Sequence, residues 1–154
     1  MSQSLSQLWI HIVVSTKNRY SFLKNLSLRE RIYDYMASIC STLNCHTTII
    51  GGTEDHVHFL TKLHKSIALS ALIEEVKKSS SKWIKTLHDS NNELDHFYWQ
   101  RGYAAFSVSQ SQIENVKEYI KNQETHHKKR SFQDELRQFL IQHSVPYEEK
   151  YIWE

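Results

Sequence analysis

With 154 residues, the chain is long enough to bury the core of one domain, read here as a single unit over 1–154. Charged residues at 23% and hydrophobic residues at 40%, with three glycines and one proline, exclude a disordered or linker-rich chain. A formal charge of +2 does not by itself predict a polyanion partner. The distribution says more: basic residues cluster at Lys17 to Arg19, Lys77 to Lys85 and Lys128 to Arg130. Ten histidines and eight tyrosines add side chains suited to bases and phosphates, or simply an aromatic surface. Cys40 and Cys45 match no metal or redox motif and fit reduced thiols. Leu8 to Val14 is too short to span a bilayer and lacks the flanks of a signal peptide, so a cytoplasmic protein is expected.

Leu8 to Val14 is β-branched and aromatic and reads as the first strand, with Leu8, Ile10, Ile12 and Val14 on one face and Trp9, His11 and Val13 on the other. The basic loop Ser15 to Tyr20 follows; Lys17 and Arg19 are either phosphate contacts or a solvated connector. Ser27-Leu28-Arg29-Glu30 has the form of a capping box, and Leu28, Ile32, Met36, Ile39 and Leu43 continue at helical spacing to about Asn44. Cys45 to Ile50 reads as a second strand and Gly51-Gly52-Thr53 as a turn. The histidine-bearing run from Glu54 to Leu60 then closes an antiparallel hairpin.

A second helix is expected over 67–87, with Leu69, Leu72, Ile73, Val76 and Leu87 inward. Lys77, Lys78, Lys82 and Lys85 decorate its second half around Ser79-Ser80-Ser81; they suit phosphate contacts or a solvated face equally. His88 to Asp95 is polar and reads as a loop, and Tyr103 to Val108 as a fourth strand. Ser111-Gln112-Ile113-Glu114 is a second capping-box pattern and opens a third helix with the narrow stripe Ile113, Val116 and Ile120. From about residue 131 a terminal helix carries Leu136, Phe139 and Leu140 inward, and an aromatic tail follows Pro146. The order β-α-β-β-α-β plus C-terminal helices is an α+β, ferredoxin-like split βαβ arrangement: an antiparallel sheet with packed helices. That fold hosts many functions and proves none.

The chemistry centres on His56-Val57-His58. In a strand, residues two apart share a face, with Cα atoms roughly 6–7 Å apart, so two imidazoles can converge on one divalent metal. Two polar residues on the wet face of a sheet are the plainer reading of the same pair. On the third helix Tyr119 and Gln123 are four apart, hence neighbours, and His126 falls seven residues after Tyr119 on about the same face. This trio either faces a metal site on the sheet or is a surface tyrosine among polar neighbours.

Taken together, these motifs resemble the single-tyrosine HUH transposases of the insertion-sequence type. His56-Val57-His58 matches the family's His-hydrophobe-His, Tyr119 its nucleophile and Gln123 its additional metal ligand. Ser15 to Arg19, Trp99-Gln100-Arg101-Gly102-Tyr103 and Asn122 to His127 agree as well, so the resemblance runs from about Leu8 to Trp153. It implies a homodimeric single-strand DNA transposase that recognises hairpin DNA at element ends. Cleavage and rejoining would pass through a 5′-phosphotyrosine, with Mg2+ or Mn2+ on His56, His58 and Gln123 and no nucleotide cofactor. Imidazole ligands favour a transition metal by softness, so manganese should bind well, magnesium should serve in cells, and zinc can fill the site without function.

The resemblance also favours a tyrosine acting on the partner subunit's histidines, with Ser107 to Gln112 as a hinge. Aromatic surface left open by a short fourth strand gives a further reason to expect the homodimer. Candidate DNA contacts are Lys17, Arg19, Lys78, Lys82, Lys85, Arg101, His126, Lys128, Lys129 and Arg130. Tyr20, in its basic loop, is the chemical rival of Tyr119. Two further readings stand beside the transposase: a catalytically silent hairpin-DNA-binding derivative, and a metal-dependent hydrolase that uses Tyr119 only structurally.

Overall fold

The structure is a computed structural model that describes residues 2–87 and 92–154. Four strands form one antiparallel sheet: β1 (Leu8–Ser15), β2 (Thr47–Gly52), β3 (His56–Leu63) and β4 (Ala104–Val108), in the order β2-β3-β1-β4. Helices α1 (Leu26–Thr42) and α2 (Leu69–Ile84) provide the two crossovers. This order, with every neighbouring pair antiparallel, is the ferredoxin-like topology. Three more helices follow β4: α3 (Ile113–Lys121), α4 (Gln123–His127) and α5 (Phe132–Gln142). Part of the expected 88–95 loop, residues 88–91, lies outside the described residues; Glu93–His96 forms one 3-10 turn.

Period-two alternation divides the sheet as the sequence reading requires. Ile12, Val14, Val57 and Phe59 meet α1 and α2 through Ile32, Met36, Leu72, Ile73 and Val76, and this face holds the main core. The opposite face carries His11, Val13, His56, His58 and Leu60. It is not wet: Leu60 packs with Ile113 and Ile120, and both histidines of the pair are buried.

Several boundaries differ from expectation, each for a local reason. Asn25, not Ser27, caps α1, because its side chain accepts from Leu28 N at 2.9 Å. No side-chain cap forms at Ser111 either; a 3-10 turn over Gln110–Gln112 leads into α3 instead. The glycine pair lies inside β2 rather than in the turn. A Cβ on Gly51 would sit 2.4 Å from the Ile120 carbonyl oxygen of α3, and one on Gly52 would sit 2.2 Å from the His56 carbonyl oxygen. The glycines therefore permit close approach of backbones. α3 is docked tightly on its own β2 as a result.

At β4 the aromatic surface is covered in part, Tyr103 just before the strand staying exposed. Phe106 is buried and stacks on Phe139 of α5 and on His143.

Candidate active site

His56 and His58 open β3, opposite Ser15 and Val13 of β1. Each ring is oriented from behind. His56 Nδ1 lies 2.7 Å from Asp55 Oδ1, and Thr53 Oγ1 donates to the same carboxylate oxygen at 3.1 Å. With Nδ1 donating to Asp55, the Nε2 lone pair of His56 faces the space between the sheet and the C-terminal helices. His58 Nδ1 shares a hydrogen bond of 2.8 Å with His11 Nε2, which turns His58 Nε2 the same way.

α3 and α4 bring the second half of the site, divided by a break at Asn122. Gln123 is buried, with Oε1 3.2 Å from His56 Nε2 and 3.1 Å from His127 Nε2. Tyr119 packs its ring on His126, centroids 4.6 Å apart, and lies edge-on to His58 at 6.0 Å. Thus His126 shares the face of Tyr119, as its spacing predicts. The Tyr119 hydroxyl does not project freely, as the narrow stripe of its helix suggests it would; it donates to Glu135 Oε2. Within this one chain Tyr119 and Gln123 lie beside His56 and His58. The rival Tyr20 is exposed beside Phe22 and Glu93, in a separate pocket with Lys17 and His96.

Glu135, His127 and His11 complete the site, and the sequence reading does not single them out. Glu135 is only 1% exposed. Its Oε1 lies 2.9 Å from His58 Nε2 and 3.8 Å from His56 Nε2, while Oε2 lies 3.2 Å from His127 Nε2. A signal exists: Glu135 falls between Phe132 and Phe139, at spacings of three and four on the apolar face of α5, where a carboxylate needs a partner.

Electrostatics follow from burial and this clustering. Burial, followed by the neighbouring His58, pulls His11 down to about 3. Burial likewise takes His58 down to about 4, against the opposing pull of Glu135. Both are therefore neutral near pH 7 and keep lone pairs for a ligand or hydrogen bond. For Glu135 burial acts upward, but the hydrogen bonds from His127 and His58 together outweigh it and hold the carboxyl well below the usual range. Burial, then the Glu135 carboxylate, raises the Tyr119 phenol, so an unassisted phenolate is disfavoured.

The donor set fits a divalent cation. One ligand atom from each of His56, His58, His127 and Glu135 lies within 4.8 Å of all the others. Donors about 2.1 Å from one ion in tetrahedral array lie roughly 3.4 Å apart, the scale of these separations. The His56 lone pair, Gln123 Oε1 and the Glu135 carboxylate crowd electron-rich atoms together, an arrangement that a cation relieves.

The proposed DNA contacts form a discontinuous set. Lys17 and Arg19 lie in a one-turn 3-10 helix, with Asn18 and Arg19 in the left-handed region at φ 55° and 53°. Lys85 Nζ sits 3.9 Å above the exposed Tyr98 ring and Lys17 Nζ 5.6 Å from it, giving one basic and aromatic patch. Lys78 pairs with Glu75 at 3.2 Å, and Lys82 is exposed on the next turn of α2. Lys77 is not part of this face; its ammonium donates to the Gln100 and Gly102 carbonyls and ties α2 to the segment before β4.

Arg19 and Arg101 line a cavity of about 790 Å³ with Tyr103, Phe132 and Trp153. It adjoins the histidines, because Phe132 stacks on His56 at 4.3 Å. Lys128 and Lys129 are exposed between α4 and α5, and Arg130 reaches Gln138.

The profile of the family described as IS200-like transposase matches residues 4–123, more than three quarters of the chain. The chain belongs to the IS200-like transposase family. No curated protein sequence matches it. Two solved structures share the fold of this IS200-like chain. One is a candidate transposase from Deinococcus radiodurans R1, at 18% identity and TM-score 0.58, covering 78% of this chain and 93% of that one. The other is a REP-associated tyrosine transposase bound to a REP hairpin, at 16% identity and TM-score 0.54, covering 78% and 70% respectively. The family match ends at Gln123, so His127 and Glu135 of this transposase lie beyond it. Among the described residues no helix is long and apolar enough to cross a membrane.

Proposed function

We propose that this IS200-like transposase cleaves and rejoins single-stranded DNA at hairpin-bearing ends, through a 5′-phosphotyrosine on Tyr119. The observation that carries this reading is the carboxylate of Glu135, which touches both His58 Nε2 and the Tyr119 hydroxyl. The nucleophile candidate and the metal-ligand candidates therefore share one buried site. His56, His58 and Gln123 would hold a divalent ion, Mg2+ or Mn2+, whose charge would polarise the scissile phosphate and offset the charge that develops on it.

The chain's own groups supply the rest. Asp55 and His11 fix the ring orientations of His56 and His58. The His126 ring holds the Tyr119 ring in place. As the Tyr119 oxygen bonds to phosphorus, the bond from phosphorus to the 3′-oxygen breaks; Glu135 Oε2, which accepts the phenolic hydrogen bond, orients the hydroxyl, and the proton passes to water. The departing 3′-oxygen takes a proton from water. The phosphotyrosine ester keeps the phosphodiester's bond energy for rejoining, so no nucleotide cofactor is needed.

Phosphate contacts from Lys17, Arg19, Lys78, Lys82, Lys85, Arg101, His126 and Lys128 to Arg130 would supply affinity. The REP hairpin bound by the structural neighbour supports hairpin recognition. A cytoplasmic homodimer is part of the proposal through family resemblance, with each protomer carrying a complete site. The deciding test is incubation with a single-stranded oligonucleotide and Mn2+. A covalent protein–DNA adduct supports the transposase, binding alone supports a silent hairpin-binding derivative, and a free 5′-phosphate product supports a hydrolase.

A further inference from the structure

The family's ligand set stops at Gln123, yet the buried donors do not. We propose that the segment beyond Gln123 supplies two more ligands to the metal, His127 Nε2 and the Glu135 carboxylate, and that α5 is therefore part of the metal centre. This deepens the proposed function and rests on its metal site.

Three observations carry the inference. First, the geometry is convergent. His127 Nε2 lies 3.0 Å from His56 Nε2 and 3.2 Å from Glu135 Oε2, and Glu135 Oε1 lies 2.9 Å from His58 Nε2. These are separations of atoms that share an ion, and the two segments reach the site independently. α4 brings His127 one turn after Gln123, while α5 brings Glu135 after the exposed Lys128–Lys129 link. Second, Glu135 is buried on a helix face otherwise made of Phe132, Leu136 and Leu140. A carboxylate in that position, without a cation in reach, would face only imidazoles and a phenol. Third, the packing that seats α5 centres on the site itself. Phe132 stacks on His56, and Phe139 meets His11 edge-on at 5.2 Å.

Three imidazoles with one carboxylate and the Gln123 amide form a borderline set that favours Mn2+, Co2+ or Zn2+ over Mg2+. A site of the two strand histidines and an amide would discriminate less.

The test is metal binding by the full chain without DNA, so that its outcome is separate from cleavage. Mn2+ affinity is measured calorimetrically for wild type, Glu135→Gln, His127→Ala and His58→Ala, with metal-free thermal unfolding as the check on folding. Expected results are a loss of at least about tenfold in Mn2+ affinity for Glu135→Gln and for His127→Ala, and wild-type preference for Mn2+ over Mg2+. Should Glu135→Gln fail to fold, Glu135→Asp keeps the charge and shifts the oxygens. Its Co2+ complex should then differ from wild type in its visible absorption bands, and an unchanged spectrum overturns the inference. Wild-type Mn2+ affinity in Glu135→Gln and His127→Ala, with loss in His58→Ala, overturns it and leaves the proposed transposase standing. No Mn2+ binding by wild type overturns both.

Discussion

The Tyr119 hydroxyl, on α3, donates its hydrogen to the Glu135 carboxylate on α5. That bond fixes the direction of the phenol. Tyr119→Phe removes one oxygen and little volume, and Glu135 keeps His58 and His127 as partners. Stability should fall by no more than about 1.5 kcal/mol, the net worth of one hydrogen bond. Hairpin binding should persist, while the covalent adduct should vanish from denaturing gels. Peptide mapping of the wild-type adduct should place the nucleotide on the peptide containing Tyr119. An adduct mapped to Tyr20 would reassign the nucleophile and leave the metal site intact.

Gly51 tests whether the docking of α3 positions that tyrosine. A Cβ at this position meets the Ile120 carbonyl oxygen at 2.4 Å, and Ile120 follows Tyr119 directly. Backbone cannot rotate away as a long side chain can, so Gly51→Ala must push α3 off the sheet. A loss of about 1–3 kcal/mol in urea unfolding is expected, typical of overpacking. Adduct formation should fall more steeply than DNA binding. Wild-type adduct yield in a destabilised Gly51→Ala would mean that α3 need not be held at this distance.

Much of this arrangement is legible in the sequence because it depends on short-range periodicity. Alternation puts His56 and His58 on one face, the four-residue step puts Gln123 beside Tyr119, and element order implies the sheet topology. What escapes depends on where separate elements dock. Glu135 is 77 residues from His58, and nothing within its own helix marks which buried group it faces. His11 sits in the alternation of β1, yet its role behind His58 exists only once β1 pairs with β3. The cap of α1 is ambiguous at closer range. Asn25 and Ser27 both suit a helix start, and the chain uses the earlier one.

The basic residues should separate by function. Neutralising Lys78, Lys82 and Lys85 together, or Lys128 to Arg130 together, should weaken hairpin binding. Each should also flatten the salt dependence by about 0.7 in logarithmic slope for every single-strand phosphate that is no longer neutralised. Lys77→Met is the contrasting case. Its ammonium is held by the Gln100 and Gly102 carbonyls, so the substitution should lower thermal stability and leave the salt slope unchanged. Unchanged slopes for both clusters would make them solvated faces.

His56 and His58 should be equally essential for cleavage but unequal for folding. Either change to Ala removes a proposed metal ligand and should abolish the adduct with Mg2+ or Mn2+, while the basic surface should keep hairpin binding largely intact. The structural consequences differ because their supports differ. When His56 is removed, Asp55 still has the Thr53 hydroxyl, and Gln123 Oε1 still has His127. His58→Ala instead withdraws the hydrogen-bond partner of the buried His11 Nε2 and one of the imidazoles facing Glu135 Oε1. Leaving such buried groups short of partners costs about 1–3 kcal/mol each. Chemical denaturation should therefore rank wild type above His56→Ala and His56→Ala above His58→Ala, with both variants inactive. Cleavage at wild-type rate by either variant would remove the metal assignment. The reverse order of stability would mean that His11 finds another partner, and that the His11–His58 bond does not hold the histidine face together.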